Sequence, residues 1–170
     1  MSRPSQIILG IDTSLRSTGV GVVEGSGQIL RLRHFGRIRN AATLRHTECL
    51  DNLYRGISEV IAAHAPKSAA VEGIFHHKNA GTAMILGQAR GVVLAACARA
   101  GVPVYEYAPR SVKQAVVGTG TAHKDHVAKM ITALLGLAEP PPEDAADALA
   151  IAIAHLHHVT GHRLTDPTEI

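Results

Sequence analysis

Residues 7–37 read IILGIDTSLRSTGVGVVEGSGQILRLRHFGR, and this stretch decides the fold class. IILGID at 7–12 is a short apolar run rich in β-branched residues, the pattern of a buried strand. TGVGVVE at 18–24 repeats that character after a tight turn and predicts a second strand. Gly25-Ser26-Gly27 marks a hairpin. Residues 28–37 then alternate apolar side chains with Arg31, Arg33 and Arg37, predicting a third strand with one buried and one basic face.

Downstream the period changes. Leu44, Leu50, Leu53, Ile57, Val60 and Ile61 recur at helical spacing, predicting a helix over 43–64 that Pro66 stops. Residues 69–72 form a short buried strand, 73–79 a loop, 80–100 a long helix ended by Gly101, and 102–107 a fifth strand. Pro109 opens a short helix to about Val117, Gly118-Thr119-Gly120-Thr121 breaks it, and 123–136 is helical again. Pro140-Pro141-Pro142 is a rigid lead into a last helix at 143–158. Antiparallel strands followed by strand–helix alternation predict an α/β fold, a five-stranded mixed sheet flanked by helices on both faces. One domain is expected over 1–158, with a loose polar tail at 159–170.

The 170 residues are 46% hydrophobic with no Trp, two Phe and three Tyr, so the core is built from Ala, Val, Ile and Leu. That suits closely packed α/β layers. A net charge of +3 permits nucleic-acid binding without requiring it. Cys49 and Cys97 show neither metal-ligand spacing nor a disulfide framework, which fits a reducing compartment. IILGI is too short for a signal-peptide core, and the apolar stretch 91–98 is closed off by Arg90 and Arg99 short of a membrane span. A soluble cytoplasmic protein is the expectation.

Four acids stand out against this background. Asp12 and Glu72 each end an apolar strand, and Asp144 and Asp147 open the last helix. Taken singly each is ordinary, since strand ends and helix N-termini often carry acids. Together they are more specific. Residues three apart on a helix point within about 60° of each other, and strand ends and a helix start can be gathered at one spot. Carboxylates so gathered repel unless cations neutralise them, and hard oxygen ligands suit Mg²⁺ or Mn²⁺, one or two ions. The chemistry this predicts is phosphodiester cleavage. Two cations ~3.5–4 Å apart would serve the attacking water and the leaving 3′ oxygen. Glu143 is adjacent and is expected to face solvent.

At these acids and around them the chain resembles the RuvC family of Holliday junction resolvases. The matching blocks are GID at 10–12, VEGIF at 71–75, KNAGTAMILGQARG at 78–91, VYEYAPRSVKQAVVGTG at 104–120 and DAADALAIAI at 144–153. The resemblance implies an RNase H-like fold, with Asp12, Glu72, Asp144 and Asp147 as the catalytic, metal-binding set. It also implies a homodimer that cuts four-way DNA junctions by paired symmetric nicks, with the branch-migration proteins RuvA and RuvB as partners. Two positions depart from the family pattern. Thr13-Ser14 stands where Pro-Gly is usual, and Gly73 where Gln is common.

Two groups are positioned to hold DNA. Phe75 shares a loop with His76, His77 and Lys78, and an aromatic beside cations can stack on an unpaired base while the cations meet phosphates. The alternative is a Phe folded onto the core; the resemblance assigns Phe75 to the junction centre. Arg110, Lys113, Lys124 and Lys129 surround the break at 118–121. By resemblance Lys113 and Lys124 lie near the scissile phosphate, and Lys124 is a catalytic candidate for stabilising charge in the transition state.

His155, His157 and His158 look like a metal cluster, yet His155 lies eight residues past Asp147, about 12 Å along a helix, too far to share an ion. They read as surface or packing residues. Gly87, Gly91 and Ala95 form a flat ridge for a helix of the same subunit or of a second one; the resemblance favours the dimer.

Other functions fit parts of the pattern. GIDTSLRSTG resembles the phosphate-binding turn of actin-like and sugar-kinase ATPases, but those need two lobes, for which 170 residues are too few. An RNase H-like ribonuclease and a catalytically inactive junction-binding protein remain as alternatives.

Overall fold

The computed structural model describes residues 4–26, 29–73, 79–161 and 166–170. The elements in chain order are β1 (Gln6–Asp12), β2 (Ser17–Ser26), β3 (Ile29–Arg39), α1 (His46–His64), β4 (Ser68–Glu72), α2 (Ala80–Arg99), β5 (Val104–Tyr107), α3 (Pro109–Val117), α4 (Lys124–Leu134), α5 (Glu143–Val159) and β6 (Thr168–Glu169). β1, β2 and β3 pair antiparallel, as residues 7–37 imply. β4 joins the other side of β1 in parallel, and β5 joins β4 in parallel. The order across the sheet is β3-β2-β1-β4-β5-β6.

The sheet therefore has six strands where the sequence predicts five. The sixth is a two-residue piece near the C-terminus. Glu169 and Thr168 pair with Tyr105 and Glu106, and the Tyr105 hydroxyl donates to Glu169 Oε2 at 2.9 Å. A polar pair of residues has no hydrophobic period to announce it. It is recruited by the open backbone edge of β5, which otherwise would present unpaired groups to water.

Helices cover both faces. On one, α3, α4 and α5 pack over Ile8, Val23, Ala70 and Tyr107. On the other, α1 and α2 pack over Leu9, Ile11, Val20, Val22, Ala69 and Val71. α5 lies directly on β1 and β2. A Cβ on Gly10 would overlap the Ala148 carbonyl, and one on Gly19 would overlap the Asp144 carbonyl. Glycine at these two positions is what allows the helix backbone to rest on the strands, and it sets the height of Asp144 and Asp147 above them.

β3 departs from its expected single basic face. A bulge opposite Val22 and Val23 skips Arg33, so Arg31 pairs with Glu24 whereas Arg37 pairs with Gly19. Those partners face opposite sides of the sheet, and so do the two arginines. An extra residue reverses the side-chain phase of everything beyond it.

Candidate active site

Adjacent parallel strands end at the same level. Ile11 of β1 pairs with Val71 of β4, so Asp12 and Glu72 leave the sheet side by side. Both continue the alternation that points Ile8 and Ala70 toward α5. α5 brings Asp147 over them. These three carboxylates, with Lys113, Lys124, Pro109, Val112, Val127 and Ala150, line one cleft of about 280 Å³.

Asp144 does not line this cleft. Its Oδ2 accepts a hydrogen bond from Ser17 Oγ, at the start of β2. It still contributes negative potential at Asp12. Among the described residues no three Asp, Glu, His or Cys side chains are drawn together tightly enough to hold an ion. Burial, and then the carboxylates of Asp147, Glu72 and Asp144, push the Asp12 carboxyl up to about 7. Burial also raises Glu72 and Asp147, with Lys124 opposing in both cases.

Among the described residues, Lys124, at the first position of α4, is the cation that pairs with this charge. Its Nζ lies 2.7 Å from Glu143 Oε1 and 3.5 Å from Asp147 Oδ2. Those partners, Glu143 first, push its ammonium up to about 12, so it stays charged. Glu143 is exposed, as expected, and is engaged by Lys124. Lys113 is half-buried in the cleft wall. Arg110 is exposed and outside that wall; the Gly120 backbone folds close over its side chain. Phe75, His76, His77 and Lys78 lie outside the described residues.

The turn after Asp12 tolerates Thr13-Ser14. Among the described residues Ala65 is the only non-glycine with positive φ, so Ser14 pays no left-handed penalty. The Ser14 N–H donates to Thr18 Oγ1 at 3.1 Å, and the Thr18 hydroxyl donates back to the Ser14 carbonyl. Gly73 also has a clear place, its N–H donating to the Tyr107 carbonyl at 2.9 Å.

Several side chains near the site left no sequence signal. Ser17, which holds Asp144, is one more serine at a strand start. Arg90 of α2 donates through Nη1 to the Glu72 carbonyl at 2.9 Å and through Nη2 to Glu106. His155, read as a surface or packing residue, is wholly buried. It bonds Ser68 Oγ and the Tyr107 hydroxyl, each at 2.9 Å, and stacks on Tyr105. Burial pushes its imidazole down to about 4, so it is neutral. It thereby fastens α5 to β4 and β5 two turns beyond Asp147.

Known proteins are similar to this chain in sequence and fold. The sequence model of the family described as Crossover junction endodeoxyribonuclease RuvC matches residues 8–155. The chain is 48% identical to the protein of that description from Halorhodospira halophila, over 89% of this chain and 90% of the relative. T. thermophilus RuvC in complex with a Holliday junction substrate superposes with a TM-score of 0.90 at 35% identity, covering 97% of this chain and 99% of that one. The yeast mitochondrial Holliday junction resolvase superposes with a TM-score of 0.60 at 10% identity, covering 92% and 86% of the two chains, a likeness of fold. The fold is RNase H-like, and the chain belongs to the RuvC family of crossover junction endodeoxyribonucleases.

Proposed function

We propose that this protein resolves four-way DNA junctions by metal-dependent nicking, with Asp12, Glu72, Asp144 and Asp147 as the ion-holding set. The observation that carries the reading is the meeting of Asp12, Glu72 and Asp147 in one cleft with Lys113 and Lys124. The donors are hard oxygens, and burial together with their mutual repulsion raises the Asp12 carboxyl to about 7, so it holds a proton about half the time near neutral pH. A divalent ion in place of that proton relieves the repulsion, so the residues present fit Mg²⁺ or Mn²⁺, one or two per subunit. Bound there, such ions supply activation of the attacking water and charge for the leaving 3′ oxygen.

The protein's own groups do the rest. Asp144, held by the Ser17 hydroxyl, would complete the set that holds the ions. Lys124 sits on the cleft wall beside Asp147 with a positive charge, placed to stabilise negative charge developing on a phosphate bound in the cleft. An incoming DNA phosphate competes with exposed Glu143 for the same ammonium. Lys113 meets the strand from the α3 side, Arg110 is a further DNA contact, and by the family likeness Phe75, with His76, His77 and Lys78, serves the junction centre.

Symmetric nicks need two sites. α2 shows solvent the exposed Met84 and Ile85, and nothing lies within 4 Å of a Cβ built on Gly87 or Gly91. This face fits the same helix of a second subunit about a two-fold axis. α2 as a whole, not just 91–98, has the length and hydropathy to span a membrane. Ala89, Val93, Ala96 and Cys97 are instead buried in the core, which marks α2 as a core-packed helix. RuvA and RuvB are the partners the family implies.

The test is a labelled four-way junction incubated with and without Mg²⁺. Paired nicks on opposing strands, only with metal, are expected. Duplex and RNA–DNA hybrid run alongside separate the reading from a ribonuclease, and binding without cleavage identifies an inactive junction binder.

A further inference from the structure

Arg90 occupies an unusual place. It stands on the face of the sheet opposite the acids, with a side chain only 12% exposed. Its two terminal nitrogens serve different strands: Nη1 donates to the main-chain carbonyl of Glu72 at 2.9 Å, and Nη2 pairs with Glu106 of β5. Glu72 is the last residue of β4. The next residue is tied to β5 through the Gly73 N–H and the Tyr107 carbonyl. The peptide that aims the Glu72 carboxylate is therefore gripped from α2, the helix whose outer side carries the open Gly87 and Gly91 surface. Glu106 holds the guanidinium in its fork geometry, which a flexible ammonium would not reproduce.

We propose that Arg90 is a positioning residue for the metal site: it fixes the end of β4 so that Glu72 meets the ions, and it makes that aim depend on where α2 sits. The idea rests on the metal-dependent reading above. A purely structural ion pair would matter equally from either partner, whereas a positioning role belongs to Arg90 alone.

The test compares Glu106→Gln, which keeps an acceptor for Arg90, with the double variant Arg90→Met/Glu106→Gln, which removes the grip without stranding a charge. Mn²⁺ binding to the DNA-free dimer is measured by calorimetry, and junction affinity is measured in EDTA. The double variant should bind Mn²⁺ about tenfold more weakly, as outer contacts to ligands commonly cost. Its melting temperature in EDTA and its junction affinity should stay near those of Glu106→Gln, which itself should bind Mn²⁺ like wild type. Equal Mn²⁺ affinity in all three proteins, or equal loss in both variants, overturns the role of Arg90. Failure of the wild-type protein to take up Mn²⁺ overturns the metal site itself.

Discussion

The two faces of the sheet hold their helices in different ways. On the α5 face, helix backbone rests on strand backbone, because Gly10 and Gly19 remove the side chains that would separate them. On the α1/α2 face, side chains such as Leu53, Ile57, Val93 and Cys97 fill the gap. The first arrangement has almost no slack, and it carries the acids. The second tolerates adjustment, and its outer helix keeps an uncommitted apolar surface. A metal site needs ligands held closely in place, while a subunit contact can adapt. The division of labour follows from how each helix is seated.

Breaking the acid face chemically should have the largest effect. Asp12→Asn is expected to lower junction nicking by about 10³-fold or more while junction binding in EDTA persists, by the scale of losing a key charge-stabilising group. Wild-type-like nicking would remove Asp12 from the mechanism. The same substitution should stabilise the metal-free fold. A carboxyl raised from 3.8 to about 7 binds a proton in the folded chain at pH values where the unfolded chain has released it. Stability is therefore present at pH 4 and declines as pH rises through 7. Glu72 and Asp147, also raised, add in the same direction. Above pH 7 in EDTA, Asp12→Asn should exceed wild type by about 1–3 kcal/mol in urea unfolding. Buried His155, lowered to about 4, works in the opposite direction over pH 4–6.5, so the test is the difference between the two proteins: an Asp12→Asn advantage that does not grow from pH 4 to 7 would contradict the crowding of these acids.

Breaking the same face mechanically comes next. Gly10→Val drives a side chain into the Ala148 carbonyl and should cost about 3 kcal/mol, with nicking lost as α5 lifts. A variant that melts normally would mean that α5 does not need its close seat. A smaller effect concerns the cleft wall. Lys113→Ala and Lys124→Ala should each flatten the salt dependence of log K for junction binding by roughly one unit of slope. An unchanged slope would take the lysine out of the DNA path. Smallest is the effect on folding of the opposite face. Gly91→Leu points into open space, so unfolding of the isolated subunit should change by less than about 1 kcal/mol. Its dimer should dissociate more readily in sedimentation. A normally dimeric variant places the subunit contact elsewhere.

Much of this was legible in the residues themselves. The three opening strands, the helix after Asn40 and the helix broken at Gly118 all follow from local period and punctuation. Local rules were weakest where a partner decides the outcome. Helix α1 begins at His46 and not at 43, because Glu48 reaches back to the Arg45 N–H at 2.8 Å. The bulge that splits the arginines of β3 depends on β2, and β6 exists because β5 has a free edge.

What the chain determined by itself was where each acid falls: Asp12 and Glu72 at strand ends, Asp144 in the first turn of α5 and Asp147 one turn further on. Apolar period and helix-breaking residues act over a few positions, so they place a residue within its element and nothing more. Only the tertiary structure decided that Asp147 joins the strand acids while Asp144 turns to Ser17, 127 residues away, and that Arg90 reaches through to Glu72. Those choices depend on strand register and on how closely a helix can approach a sheet. Both are properties of packed pairs of elements, and no single element encodes them.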